Sequence, residues 1–118
     1  MIKFFLILVE YGHKILIITM VAELEKILYD DGGGFRASYI TDSGGFWHFH
    51  PEYELVLNIK CNGTRIIGDS VELFDRYEMV LIAGNIPHCW NYYKTDNALP
   101  EKHGIIVHFK SDSLGESL

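Results

Sequence analysis

Two histidines and a glutamate recur at even spacings in residues 47–58, which read WHFHPEYELVLN. Side chains of an extended strand alternate between two faces, so His48, His50 and Glu54 would share one face of such a strand. Two imidazoles and a carboxylate this close together have a spacing suited to binding a transition metal. A solvated strand face that carries ordinary polar residues is the alternative interpretation. The stretch taken alone leaves both interpretations open.

A third histidine, His88, follows in the run Gly84-Asn85-Ile86-Pro87-His88, which begins about 30 residues after Glu54. The HxHxxxE stretch and the later Gly-x-x-Pro-His together resemble the two motifs of the cupin superfamily. The resemblance implies a barrel that holds one divalent metal on His48, His50, Glu54 and His88. Three neutral imidazoles and a carboxylate suit Fe, Mn, Ni, Cu or Zn without selecting strongly among them. They also leave coordination positions open, as Lewis-acid chemistry requires.

Three more side chains are candidates for lining a ligand pocket. Trp90 and Tyr92 share the strand parity of His88, and small-molecule pockets are mainly apolar with a few polar groups. His108 alternates with apolar neighbours, so it is expected either at the pocket or in the core as a hydrogen-bonded histidine. Cys89 is adjacent to His88 and should point to the opposite face, which argues against a Cys-His nucleophile. No catalytic residue is predicted from these positions.

The elements that must position these side chains are short strands separated by turns. Pro51 interrupts the first motif, and Asn62-Gly63 is typical of a two-residue hairpin turn. The predicted strands are Phe35–Thr41, Phe46–His50, Glu54–Lys60, Thr64–Ile67, Val71–Phe74, Met79–Ile82, Pro87–Tyr93 and Gly104–Phe109. Many short strands at this spacing indicate an all-β sandwich or barrel. With the motif resemblance, they predict a cupin double-stranded β-helix, a jelly-roll barrel, over residues 31–118.

Residues 1–30 resemble neither motif, and we treat them as a separate segment before the cupin domain. Two apolar runs, Phe4–Val9 and Ile15–Met20, indicate a hairpin or a pair of core strands, with a signal-like membrane anchor as the alternative. Four apolar residues fall on one helical stripe and predict a short helix over Val21–Leu28. The glycines at 32–34 are expected to be a linker, because no Gly-Lys-Ser/Thr follows them.

Composition and charge limit the classes of function. The 118 residues are 48% hydrophobic and 22% charged, which is typical of one globular domain. The formal net charge is -6 and lysines and arginines do not cluster, so the chain by itself is a poor binder of nucleic acid. Cys61 and Cys89 are expected to be reduced thiols of a cytoplasmic protein and not a disulfide framework. No membrane association is expected.

A narrower resemblance covers roughly residues 35–118. The residues that carry it read HFHPEYELVLNIKCNGTRIIGDSVELFDRYEMVLIAGNIPHCWN and, further on, IIVHFKSDSLGES. They resemble the N-terminal cupin sensor domain of AraC-type transcription regulators. The resemblance implies a homodimer that binds a small-molecule effector, with a sugar as the typical ligand. It also implies contact with DNA only through a C-terminal helix-turn-helix part, which these residues lack.

Two other functions stay open from the sequence. One is a stand-alone metal-dependent cupin enzyme of the dioxygenase or isomerase type, in which the four implied ligands hold the metal and substrate takes an open position. The other is a dimerisation module with a degenerate pocket, which no metal or effector would stabilise against unfolding. The sequence identifies neither an effector nor a substrate.

Overall fold

The computed structural model describes residues 2–11, 14–29, 34–94 and 101–114, with only the backbone described for residues 2–21 and 114. In these ranges ten strands follow one another, and a 3-10 turn, Ser111–Leu114, comes after the last of them. The strands are β1 (Ile2–Tyr11), β2 (Lys14–Leu24), β3 (Phe35–Tyr39), β4 (His48–Phe49), β5 (Tyr53–Ile59), β6 (Gly63–Ile67), β7 (Ser70–Phe74), β8 (Tyr77–Ile82), β9 (His88–Tyr92) and β10 (Gly104–Phe109). The residues described contain no α-helix.

The strand pairing is that of a long hairpin rolled into a barrel. Going back from the tip, β6 pairs with β7, β5 with β8, β4 with β9 and β3 with β10. Rolling adds the pairs β10 with β5 and β9 with β6. The result is a six-stranded sheet, ordered β1-β2-β4-β9-β6-β7, and a four-stranded sheet, ordered β3-β10-β5-β8. This is the double-sheet jelly roll that cupins share, so the predicted fold class is confirmed.

The structure shows the expected turn between β6 and β7 but not the hairpin predicted at Asn62-Gly63. The connection between β6 and β7 is a two-residue loop that begins at Gly68, whose φ of 58° suits glycine. The hairpin expected at Asn62-Gly63 is wrong, because β5 pairs only with strands of the four-stranded sheet and β6 lies in the other sheet. Gly63 is instead needed because a Cβ there would lie 2.0 Å from the carbonyl oxygen of Asn91.

The short helix predicted over Val21–Leu28 is also wrong. β2 continues to Leu24, where it pairs in parallel with β4. Beyond the strand, the Glu25 amide still donates to the carbonyl oxygen of Phe49, at 2.8 Å. Tertiary pairing therefore supplies the hydrogen bonds that a helix would have made, and the apolar stripe is not buried as a unit: Ile27 is buried while Leu24 and Leu28 are exposed.

The N-terminal apolar runs form the antiparallel hairpin β1–β2, which extends the six-stranded sheet through β4. No helix in the described ranges is long and apolar enough to cross a membrane. The predicted boundary at residue 30 and most of the expected glycine linker lie outside the described residues.

The side chains between the two sheets form an apolar cluster and a polar cluster. Toward one end is an apolar cluster in which Val56, Ile82 and Phe74 pack with Trp90 and Tyr92. Toward the other end the inward side chains are histidines and a glutamate. A second apolar cluster, Ala22, Trp47, Phe49 and Cys89, packs on the opposite side of β4 and β9.

Candidate metal centre

The candidate site forms where the chain crosses from one sheet to the other. β4 ends at Phe49 in the six-stranded sheet, and β5 begins at Tyr53 in the four-stranded sheet. Pro51 occupies the crossing, as its inability to donate a ladder hydrogen bond would favour. His48 and His50 therefore approach from one side of the barrel, while Glu54 approaches from the other.

His88 joins this group through the strand register and a tight loop. It is the Cα partner of His48 in the pairing of β4 with β9. The preceding loop is fixed to the crossing because the Asn85 amide donates to the carbonyl oxygen of His50 at 2.7 Å. A Cβ at Gly84 would lie 2.2 Å from the carbonyl oxygen of Pro51, so only glycine lets the loop approach this closely.

The structure brings the four residues implied by the motifs into one cluster. Each offers a ligand atom, and all four atoms lie within 4.8 Å of one another. The ring centroids of His48 and His88 are 4.3 Å apart, and those of His50 and His88 are 4.9 Å apart. His50, Glu54 and His88 are each no more than 1% exposed. A solvated polar strand face, the alternative interpretation of the sequence, is therefore wrong.

Backbone carbonyls orient all three imidazoles in the same way. The Nδ1 atoms of His48, His50 and His88 lie 2.8, 3.0 and 2.7 Å from the carbonyl oxygens of Phe46, Glu52 and Ile86. A carbonyl oxygen can only accept, so each Nδ1 carries a proton and donates it. The lone pair of each neutral ring is then on Nε2, which is the arrangement that metal-binding histidines usually have.

The Nε2 atoms point at a carboxylate, which is itself an acceptor. His50 Nε2 lies 3.1 Å from Glu54 Oε1, and His88 Nε2 lies 3.2 Å from Glu54 Oε2. Neither His88 Nε2 nor Glu54 Oε2 makes a hydrogen bond with any described residue. Acceptors that face one another in a buried site need a cation or added protons between them. The donor set, three imidazole nitrogens and a carboxylate, fits a divalent transition metal.

The charge of Glu54 is maintained by its neighbours despite its burial. Burial alone raises the pKa of this carboxyl, but the contacts with His108 and His50 and the electrostatic interaction with His88 outweigh burial and hold the pKa well below its usual range. His108 Nε2 lies 2.8 Å from Glu54 Oε1 and donates to it. His108 thus acts on the cluster by fixing the carboxylate, which is the role of outer partners in metal sites.

Glu25 is a site residue that sequence reasoning missed. Its Oε2 atom lies 3.0 Å from His48 Nε2, the nitrogen that a metal would take. This hydrogen bond lowers the pKa of Glu25. Burial lowers the pKa of His48, but the bonds to Glu25 and to the Phe46 carbonyl outweigh burial and raise it. The sequence carried no signal for Glu25, because it reaches the site through the parallel pairing of β2 with β4.

A cavity of about 210 Å³ opens beside His48 and Glu54. All three of the side chains predicted to line a pocket, Trp90, Tyr92 and His108, are among its walls. The full lining consists of Glu25, Asp42, Gly44, Gly45, Phe46, His48, Glu54, Trp90, Tyr92, Ile106 and His108. The cavity is smaller than the pockets of roughly 300–1,000 Å³ that take drug-sized ligands, so its occupant must be small.

Other residues with reactive side chains lie away from this cluster. Cys89 faces the apolar cluster on the other side of β9 from His88, and burial raises the pKa of its thiol. A Cys-His nucleophile therefore has no geometric basis at His88. His103 is buried behind the cavity wall, with its ring centroid 4.6 Å from that of Tyr92.

The chain matches no protein-family model, and no curated protein matches it in sequence. Among solved structures, it is similar to a cupin 2 conserved barrel domain protein from Rhodopseudomonas palustris, at 9% sequence identity and a TM-score of 0.49. The alignment covers 92% of this chain and 72% of the Rhodopseudomonas chain.

Proposed function

We propose that this chain is a metal-dependent cupin domain that binds one divalent transition metal on His48, His50, Glu54 and His88. The observation that supports it best is that the four ligand atoms converge within 4.8 Å, while Glu54 Oε2 and His88 Nε2 are buried there without a hydrogen-bond partner among the described residues. Within the cupin class, a metal-dependent enzyme of the dioxygenase or isomerase type agrees best with a metal cluster that opens onto a cavity.

The cavity indicates which molecules would bind beside the metal. Three carboxylates line it, from Glu25, Asp42 and Glu54, and no lysine or arginine is found among the described residues of the lining. A divalent metal would offset the charge of Glu54, but the remaining carboxylates of Glu25 and Asp42 still disfavour an anionic ligand. The aromatic rings of Trp90 and Tyr92 are stacked, with centroids 6.3 Å apart, and supply an apolar wall. We infer that the substrate is a small uncharged or cationic molecule with an apolar face.

The chain's own residues would divide the work at this site. When bound, the metal would supply Lewis-acid polarisation of a ligand oxygen. The backbone carbonyls keep the three imidazoles in the metal-binding tautomer, and His108 keeps the Glu54 carboxylate in place. Glu25 lies at the cavity beside His48, where its carboxylate can accept a proton from a bound molecule.

Metal content tests the proposal directly. We expect about one equivalent of a transition metal in protein purified without nickel affinity resin, and none in a His48→Ala/His50→Ala double variant. His103→Asn is the matched control, because His103 is buried in the same barrel but does not belong to the cluster, and it should keep its metal. A parent protein that stays metal-free after reconstitution would contradict the proposal, as would a double variant that still binds one equivalent.

The sensor function of AraC-type regulators rests on the sequence resemblance alone, and turnover separates it from the enzyme. A metal-dependent enzyme should convert a small uncharged or cationic substrate only when metal-loaded. Turnover that persists in metal-free protein would contradict the enzyme, and saturable binding of such a molecule without any turnover would favour the sensor.

A further inference from the structure

The outer face of the four-stranded sheet is apolar from one edge strand to the other. One row of cross-strand neighbours consists of Tyr39, Ile105, Leu57 and Met79. The rows on either side are apolar as well, and no outward position of β3, β5, β8 or β10 carries a charged side chain. We call this surface, formed by the outward side chains of these four strands, the apolar face.

The apolar face is not covered by the described part of the chain. Met79 is 70% exposed, and its neighbours on the edge strand β8, Tyr77 and Leu81, are 59% and 58% exposed. Tyr39, on the opposite edge strand β3, is 58% exposed. Single exposed apolar residues are ordinary, but a contiguous face of them marks an interaction surface.

The polarity of the sheet is reversed relative to that of a sheet with one solvated face. Such antiparallel sheets turn apolar residues inward and polar residues to water. Here Glu54 and Asn58 of β5 and His108 of β10 point inward and are buried. Leu55 and Leu57 of β5 point outward. A water-facing role does not account for that pattern, because the outward positions of all four strands are apolar.

We propose that a second copy of this chain covers the apolar face, through a two-fold axis that packs the two four-stranded sheets on each other. Sheet faces pack about 10 Å apart with their strands nearly aligned, and interdigitating apolar side chains fill the space. A two-fold axis sets the same patch against itself, which brings like charges together where charged groups lie close to the axis. The apolar face has no charge, so it meets its own copy without that repulsion.

The size of the face suits the core of such an interface. Four strands about 4.8 Å apart and roughly 20 Å long give a projected area of about 400 Å², and side chains standing on the sheet present more accessible surface than that. A standard interface buries about 800 Å² on each partner, with an apolar centre and a polar rim. Lys102, whose ammonium lies 4.3 Å from the centroid of the Tyr39 ring, begins such a rim at one end.

Charge and topology disfavour the other occupants. The outward positions of β3, β5, β8 and β10 hold no lysine or arginine, so this face offers no charged group that could bind the phosphates of anionic lipids or of nucleic acid. The β1–β2 hairpin continues the other sheet and does not cross the face. A helix of another protein is the remaining occupant, and the experiment below separates it from a second copy.

Sedimentation velocity over a dilution series tests the proposal on the full 118-residue chain. We expect the parent to be a dimer, and Met79→Lys to weaken dimerisation at least about tenfold by placing a charge within the apolar interface. Leu73→Lys is the matched control: Leu73 is 75% exposed on β7 of the other sheet, and this variant should dimerise like the parent. Tyr39→Lys, on the opposite edge strand, should reproduce the effect of Met79→Lys.

Three outcomes would overturn the proposal. They are a parent that stays monomeric across the series, a dimer that survives both lysine variants on the apolar face, and a Leu73→Lys variant that dissociates as readily as Met79→Lys. Circular dichroism and metal content of each variant show whether the barrel is intact. Because the apolar face is on the far side of the sheet from Glu54, dimerisation should not depend on metal, and the two proposals fail independently.

Discussion

The inward and outward faces of β5 differ in a way that neither would suggest alone. Inward, Glu54 and Asn58 are fully buried; outward, Leu55 and Leu57 are half-buried and face away from the barrel. In an ordinary half-buried strand the polar set faces water. The alternation of side chains along a strand therefore shows which residues share a face. The polarity of a face does not show whether it is the inner one when the interior of the barrel is a ligand site.

Each face needs a different kind of partner to be stable. The inward polar groups are satisfied only in part by the described residues: Tyr92 donates its hydroxyl to Asn58 Oδ1 at 2.8 Å and His108 donates to Glu54 Oε1, while Glu54 Oε2 has no hydrogen-bond partner among them. Buried polar groups without such partners would each cost about 1–3 kcal/mol. The outward face has no corresponding partner among the described residues, which is why its stabilisation is assigned above to a second copy.

The largest expected effect comes from truncating neighbouring residues of β8 that point in opposite directions. Ile82 points inward and is 2% exposed, so Ile82→Ala should lower the free energy of unfolding by about 2–5 kcal/mol. Leu81 is 58% exposed, and Leu81→Ala should lower it by less than about 1 kcal/mol.

Urea unfolding measures both, in a Met79→Lys background so that association does not contribute. Equal losses of unfolding free energy in the two variants would contradict the distinction between the inward and outward faces. They would mean that Leu81 is as tightly packed in the monomer as Ile82.

A smaller effect is expected from the outer residue of the metal cluster. His108→Phe keeps a ring at this position but removes the donor to Glu54 Oε1, so the affinity for metal should fall about 10- to 100-fold. Competition with a chromophoric chelator gives the affinity. His103→Phe, which alters a buried histidine outside the cluster, should leave it nearly unchanged. A His108→Phe variant with the affinity of the parent would show that burial alone fixes the carboxylate.

The smallest effect concerns the ion pair at the cavity. The folded-state pKa of His48 is raised, so the stabilisation from its pair with Glu25 is present at pH values below about 6.5 and is lost as the pH rises through that pKa. Because Glu25 is partly exposed, the contribution should be less than about 1 kcal/mol. Urea unfolding of the metal-free protein between pH 5 and about 8 should show this loss, and Glu25→Gln should abolish it.

The metal-loaded protein should respond to pH in the opposite direction. Metal binding needs neutral imidazoles, so affinity should rise over the interval in which the metal-free protein loses its Glu25–His48 pair. A metal-free protein whose stability rises from pH 5 to 8 relative to Glu25→Gln would contradict the assigned direction of the His48 pKa.

Local sequence patterns predicted the strands from residue 35 onward and placed His48, His50 and Glu54 on one face, because these features depend on spacing along the chain; His88 was implied by the motif resemblance. His48, His50 and Glu54 sit two and four residues apart, and the bend at Pro51 only improves their convergence. What could not be predicted depends on pairing between distant segments. Glu25 reaches His48 only because β2 pairs with β4, and no periodicity within residues 21–28 contains that information.

The expected turn at Asn62-Gly63 was wrong for a related reason. The dipeptide has the local preference for a hairpin, but the strand on each side has its partners elsewhere: β5 pairs with β8 and β10, and β6 with β7 and β9. Turn propensity depends on about four consecutive residues, whereas strand pairing in a rolled hairpin depends on contacts across the whole barrel.

The candidate metal ligands are divided between the two sheets of the barrel. His48 and His88 belong to the six-stranded sheet and Glu54 to the four-stranded sheet, so a bound ion would tie one sheet to the other. Further along the strands, the sheets are held together by the apolar contacts of Val56 with its cluster and by the hydrogen bond from the Tyr92 hydroxyl to Asn58 Oδ1. Removing the ion should therefore allow local opening of the barrel at its histidine end. Amide hydrogens of β4 and β9 near His88 would then exchange faster, while those around Val56 keep their rate.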